Sequence, residues 1–474
     1  MKNSFCLYLL VSSILLLGGL PGWAQKAQSA PEAMRFIKLG NTLREIDKPQ
    51  QAIDLLLRAL PAVQGKDIYW EAIAYENLGL AYSDQENTVD AIRYFQKAQL
   101  LYKSLKYKAS EAAMSELIDD ATGKKTYAGI DIGSSGIKLA VFGTRMENGF
   151  YTKSILSKPD APNVTLISGT PQAFDNGRNV LRAYMDSIRR YNIPPERIYV
   201  AFSSGINDGF GKTPGRRKQL YDLLTAELPK GAVFDTTLTA SREAELFTVG
   251  AVPRKLWATT SCMDIGSGNT KGGYYDANRY FHALSFPIGT KSLAALIDKN
   301  KSLDIPAYRN EAQRVVNALA DSMLRPEFST GHVGLQQRRT VAFGGGIAWA
   351  LVAYLHPEKA GVTAVPLTVA DIERFKRLAL TNYQALIHPD LTDLTDLAVR
   401  QKAEKDLGNV QAQFNEKQVI AGALWLDAVV RAYDNTTVPK RFVFIRDSDI
   451  GWVTGKFLED LNRAYERTLA TEAK

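Results

Sequence analysis

Three short stretches carry residues that could do chemistry on an anion. "GIDIGSSGIKLAVF" at 129–142 and "CMDIGSGNTKGGYY" at 262–275 are near copies: an apolar run, an aspartate, a glycine–serine turn and a second apolar run. Glycines at such a turn let backbone N–H groups approach an oxyanion, and serine, threonine and asparagine side chains add donors. The candidate phosphate contacts are Gly133, Ser134, Ser135 and Lys138 in the first copy, and Gly266, Ser267, Gly268, Asn269, Thr270 and Lys271 in the second. Asp131 and Asp264 sit at the strand ends, where a carboxylate could hold a divalent cation through water or orient an attacking water. A third stretch, "RTVAFGGGIAWAL" at 339–351, reads as a strand, a loop of Gly344, Gly345 and Gly346, and a helix whose N-terminus favours negative charge.

The elements needed to position these turns follow from pattern. "YAGIDIG" and "IKLAVF" are predicted strands joined by "SSG"; "ATTSCMDIG" and "KGGYY" play the same parts in the second copy. Upstream, residues 33–105 show internal similarity at helical spacing. In "AIAYENLGLAYSDQENTVDAIRYFQKAQLLYKSL", Leu78, Gly79 and Tyr82 fall on one helix and Ala91, Phe95 and Ala98 on the next. Leu39, Gly40, Leu43, Ala52, Leu56 and Ala59 form an earlier copy. Small Gly79 and Ala91 let the two helices approach, with Tyr82 and Phe95 filling the space beside them. This pattern resembles a tetratricopeptide repeat, which implies a surface for a peptide or protein partner, or alternatively for a homodimer. A helix near 110–120 is expected to cap the pair, and "ATGKKT" at 121–126 to act as a linker.

The chain has 474 residues, 45% hydrophobic and 23% charged, enough to bury a sizeable core. Lys2, an apolar run over 5–20 and small residues ending at Ala24 read as an export signal, which implies a periplasmic or secreted protein. Retention of that segment as an anchor is the alternative; no later stretch reads as a transmembrane span. With the signal removed, Cys262 is the single cysteine left, so no intrachain disulfide can form, and its place in a predicted strand marks a buried structural thiol. The net charge of +8 favours anionic partners. No nucleic-acid motif is present, and His282, His332, His356 and His388 lack zinc-ligand spacing.

In order and spacing the three loops resemble the actin-like phosphotransferase fold, an α/β architecture of two ribonuclease H-like lobes. Within it, "LTASREAELFTVGAV", "LSFPIGTKSLAALI" and "VIAGALWLDAVVRAY" followed by "RFVFIRDSDIGWVTGKFLED" resemble the exopolyphosphatase and guanosine-pentaphosphate phosphatase family (Ppx/GppA) over roughly residues 127–460. The organisation expected is a signal peptide (1–24), helical repeats (25–122), a first lobe (123–255) and a second lobe with C-terminal helices (256–474). The resemblance implies release of terminal phosphate from polyphosphate or guanosine pentaphosphate. Glu243 would be the general base, with Glu245 in reserve, and Asp131 and Asp264 would be catalytic, holding Mg²⁺ through water.

Departures from the family pattern bear on that expectation. Ser203, Ser204 and Asn207 lie in "SSGINDG", where Asn207 replaces a phosphate-binding arginine. The nearby Arg216, Arg217 and Lys218 would either compensate or form a solvated patch. Lys271 stands where the family has a metal- or water-holding glutamate. Two other functions therefore stay open: a catalytically weak phosphate- or polyphosphate-binding or signalling module, and an actin-like assembly ATPase.

Overall fold

The computed structural model describes residues 26–121, 125–134, 136–147, 150–162, 164–299, 302–332, 334–434 and 438–472. Ser135 and the 1–24 signal segment lie outside the described residues. Contacts divide the chain into two compact units: Met1–Lys125 with Arg145–Gly149, and Thr126–Thr144 with Phe150–Lys474.

Residues 30–121 of the first unit are helical: α1 (Ala30–Glu45), α2 (Pro49–Val63), α3 (Ile68–Asp84), α4 (Thr88–Ser104) and α5 (Lys108–Ala121). Three of these helices start on polar caps: Ser29, Asp67 and Asn87 side chains accept from backbone N–H groups of α1, α3 and α4. The glycines set the helix spacing. A Cβ on Gly79 would fall 2.4 Å from the Phe95 ring, and one on Gly40 would fall 2.8 Å from Leu56. Phe95, Ala91 and Ala98 are buried, as are Ala52, Leu56 and Ala59. Tyr82 instead stacks on Tyr94, with ring centroids 5.4 Å apart, and Leu39 is exposed.

The second unit is built on two twisted sheets. The first has order β3-β2-β1-β4-β5, from β1 (Thr126–Gly133), β2 (Gly136–Glu147), β3 (Phe150–Ser157), β4 (Ile198–Phe202) and β5 (Val233–Asp235). The second has order β10-β11-β9-β6-β7-β8, from β6 (Thr260–Ile265), β7 (Thr270–Tyr275), β8 (Phe281–Phe286), β9 (Thr340–Gly344), β10 (Ala364–Leu367) and β11 (Arg441–Ile445). In each sheet an antiparallel hairpin (β1–β2, β6–β7) is followed by a parallel partner (β4, β9). The interior parallel strand β4 is apolar throughout because both its faces are covered. β4 reads "IYVAF", every residue buried. This is the two-lobed α/β architecture expected from the sequence.

Two helices, Ala240–Ala251 and Gly451–Glu472, pack in the core between the sheets, where Leu246, Phe247 and Val453 meet Phe142, Tyr199 and Ala342. They cross at backbone contact: a Cβ on Gly250 would lie 2.0 Å from the Gly451 carbonyl oxygen. That close crossing fixes the helix that carries Glu243.

Candidate functional site

The two hairpin turns face each other. Ser134 Oγ and Ser267 Oγ are 3.5 Å apart, so the chain brings together the near copies that its sequence separates. The parallel strands bring in the other candidates. Ser203 N–H donates to the Ile132 carbonyl at 3.0 Å, which sets the "SSGINDG" segment beside the first hairpin. Gly344 pairs in register with Asp264, which sets the triple-glycine loop beside the second.

Glu243 lies at the centre, fully buried in the first turn of its helix. One carboxylate oxygen accepts the Ser204 N–H at 2.7 Å, a donor that the start of the short helix Ser204–Gly209 leaves unsatisfied. The other oxygen accepts the Ser204 hydroxyl at 2.7 Å and meets the Lys271 ammonium at 2.7 Å. Lys271 also lies 3.6 Å from Asp264 Oδ2 and 3.4 Å from Asn269 Oδ1. Asn269 Nδ2 donates to Ser204 Oγ at 3.0 Å and closes the ring of contacts.

The first hairpin repeats part of this arrangement. Lys138 is the cross-strand partner of Asp131, as Lys271 is of Asp264. Lys138 Nζ lies 3.4 Å from Asp131 Oδ2. Asp131 Oδ1 is buried with no partner among the described residues. Burial pushes the Asp131 carboxyl up to about 6 against the pull of Lys138. Burial likewise raises Asp264. For Lys271 burial alone would depress the ammonium, but Glu243 and Asp264 outweigh it and hold it above its ordinary value. Lys138 is raised in the same way, by Asp131, Asp449 and Asp264.

Several predicted contacts are engaged elsewhere. Thr270 is buried; its hydroxyl donates to the Ile288 carbonyl at 2.6 Å and accepts from Trp425 Nε1 at 2.8 Å. Asn207 spans the Leu238 carbonyl (3.0 Å) and Arg217 Nε (2.9 Å). Arg217 is spent on that contact and on the Thr236 carbonyl, and Lys218 on an exposed pair with Asp222, so neither replaces the missing arginine. Gly345, at φ 91°, packs its α-carbon on the Ile265 backbone. Cys262 is fully buried and its thiol is pushed up to about 12, as suits a structural residue. Glu245 pairs with Arg242 at 2.5 Å.

Sequence reasoning passed over two parts of the site. Lys291, on the first turn of the helix Thr290–Asp298, is half-buried, and its backbone N–H donates to the Ser267 carbonyl at 2.9 Å. It has no carboxylate partner among the described residues, and burial together with Lys138 lowers its ammonium. Its place directly after the "PIG" turn was the available signal. Lys158 bridges Asp447 (2.7 Å) and Asp449 (2.6 Å), and Lys158 and Asp449 lie close enough to act electrostatically on Lys138.

At the second hairpin the residues present do not fit Mg²⁺. The oxygens of Glu243, Asp264 and Asn269 that could face a divalent cation already surround an ammonium. Among the described residues no group of three or more His, Cys, Asp or Glu side chains is placed to hold a metal.

Comparison with known proteins agrees with this architecture. Residues 31–104 match the family model described as tetratricopeptide repeat. The fold is shared with an exopolyphosphatase from Cytophaga hutchinsonii, at 17% identity over 71% of this chain and 98% of that one, TM-score 0.51. A Ppx/GppA phosphatase from Aquifex aeolicus is similar at 16% identity, 71% and 99% coverage and TM-score 0.47. A ROK hexokinase from Thermus thermophilus is similar at 13% identity, 70% and 96% coverage and TM-score 0.31. A search of curated proteins returns no match. The chain therefore joins a tetratricopeptide-repeat segment to a two-lobed actin-like fold. Among the described residues no helix is long and apolar enough to cross a membrane.

Proposed function

We propose that the hairpin junction is a cleft that binds a phosphorylated anion, a polyphosphate chain end being the favoured class, and holds it without turning it over. The observation that carries this reading is the state of Glu243. A general base needs an oxygen that water can reach, yet Glu243 is fully buried, one of its oxygens held by the Ser204 N–H and the other by the Ser204 hydroxyl and the Lys271 ammonium. The binding side is supported by Lys138 and Lys291: burial and the nearby Lys138 together depress the Lys291 ammonium, which has no carboxylate partner among the described residues. An incoming phosphate would part Ser134 and Ser267, accept from their hydroxyls and backbone N–H groups, and relieve the repulsion between the lysines.

The second reading is exopolyphosphatase-like hydrolysis, favoured by the position of Glu243 beside both hairpins. It requires Lys271 to withdraw from Glu243 before water can be activated. Calorimetric binding of polyphosphate, alongside phosphate release with and without Mg²⁺, separates the two. Binding without release above a Glu243→Gln control is expected. Sustained release that this substitution abolishes would establish hydrolysis instead.

The same reading takes residues 1–24 as an export signal, so that polyphosphate outside the cytoplasm is the ligand in view. Cell fractionation that recovers the chain only from cytosol would remove that part. The repeat segment would bind a peptide or protein partner, with self-association as the alternative; an elution volume that marks a dimer would favour the latter.

A further inference from the structure

We propose that the Lys271 ammonium is the resident cation of the cleft, so that the site takes phosphoanions free of divalent metal and discriminates against their Mg²⁺ complexes. The inference rests on the phosphoanion reading above and adds to it the state of the ligand.

Three oxygens from three elements converge on one point: Glu243 Oε2 from the inter-sheet helix, Asp264 Oδ2 from the end of β6, and Asn269 Oδ1 from the turn. They lie 2.7, 3.6 and 3.4 Å from Lys271 Nζ. Hard oxygens gathered at a strand end beside a phosphate turn are what a divalent cation would coordinate. Here a single positive charge, tethered to β7, already stands among them. The lysine is 7% exposed and Glu243 is fully buried, so the ammonium cannot leave without stranding a carboxylate in the interior. A divalent ion entering the same oxygen set would stand against the ammonium with no water between them to screen the repulsion.

The consequence reaches the ligand. In a metal-dependent site the ion bridges carboxylate and phosphate, and added Mg²⁺ strengthens binding. In this cleft Lys138 and Lys291 are cations that a ligand can meet, and the charge of Lys271 stands behind them. A phosphate chain already chelated by Mg²⁺ offers them oxygens whose charge is spent and brings a second cation toward Lys271. Magnesium should therefore weaken binding.

The probe is inorganic tripolyphosphate, titrated into the full chain by calorimetry at matched ionic strength with either EDTA or millimolar MgCl₂. Affinity is expected to fall by at least about tenfold in MgCl₂, as ligand is drawn into a complex that the protein does not accept. In Lys271→Glu the sign should reverse, with affinity higher in MgCl₂. A second arm uses no ligand: MgCl₂ should leave the thermal midpoint of the wild-type chain within about 1 °C of its value in NaCl of equal ionic strength, and should raise that of Lys271→Glu by several degrees. Tighter tripolyphosphate binding in MgCl₂, or a specific Mg²⁺ stabilisation of the ligand-free wild type, overturns the proposal. Both wild-type measurements stand even if Lys271→Glu does not fold. If tripolyphosphate binds in neither buffer, the phosphoanion reading fails, while the ligand-free arm still decides the place of Lys271.

Discussion

Replacing Glu243 by glutamine tests whether this residue is chiefly an ion-pair partner or a base. The carboxylate and the Lys271 ammonium are 2.7 Å apart, with side chains 0% and 9% exposed. At an effective dielectric of about 20 their Coulomb attraction is about 6 kcal/mol. Desolvation of both ions offsets much of it, but removing one partner leaves the other buried, at a cost of about 3–5 kcal/mol. Asp264, at 3.6 Å, retains a share of the attraction, so about 3 kcal/mol is expected for Glu243→Gln. For a unit of this size that lowers the thermal midpoint by about 4 °C. Lys271→Met should cost a similar amount, because Glu243 then keeps only its Ser204 donors. The double variant exchanges a buried ion pair for a neutral one and should be far less destabilised than the sum, a coupling of about 2–3 kcal/mol in a double-mutant cycle. Denaturant unfolding of the four proteins measures it. Phosphoanion binding should survive in Glu243→Gln and tighten, since one negative charge has left the cleft. Additive single effects, each under about 1 kcal/mol, would refute the pairing and return Glu243 to the role of an available base.

Three further outcomes follow from the same contacts. Lys291→Met should weaken polyphosphate binding about tenfold, the worth of one charge-assisted contact, and leave stability within about 0.5 kcal/mol, because no acid depends on that lysine; calorimetry and a thermal melt check both. Burial holds the Asp131 carboxyl up at about 6, and its protonated form removes a negative charge from the site. Affinity should therefore be highest below pH 6 and fall by up to about tenfold per pH unit as the pH rises above it, and Asp131→Asn should flatten that part of the profile. Gly345→Ala places a Cβ 2.1 Å from the Ile265 carbonyl oxygen at φ 91°, and should cost about 3 kcal/mol or more in a denaturant titration.

The hairpins and the triple-glycine loop were legible because each depends on local signals: an apolar run, a glycine turn, a second run. The helix pairs were legible for a similar reason, since Gly79 and Phe95 answer each other at a repeat spacing. What the sequence did not disclose depends on which side chains meet through packing. Nothing near Asn207 says that its amide is bound to Leu238 and Arg217. Thr270 reads as a turn donor, yet it lies where β7 passes under the helix Glu416–Asp434, and Trp425 claims its hydroxyl. Lys291 carries no signal of its own in the sequence beyond its place after the "PIG" turn; it packs against the second hairpin turn and the Phe414 ring, 5.9 Å away.

Lys271 is the residue whose meaning the fold changes most. Taken alone it is a substitution at a position where an acid is expected. In register it is the second member of a pair, because "DIGSSGIK" and "DIGSGNTK" place an aspartate and a lysine opposite each other across each hairpin. Both lysines therefore start as counter-ions to their own strand partner, and the neighbouring element separates them. Beside the first hairpin Lys138 stays with Asp131 at 3.4 Å. Beneath the second runs the helix that holds Glu243, and Lys271 closes to 2.7 Å on that carboxylate while Asp264 is left at 3.6 Å. One short motif thus produces two different cations. Lys138 stays 34% exposed and can meet a ligand, whereas Lys271 is drawn inward to neutralise the acid that would otherwise be free to activate water.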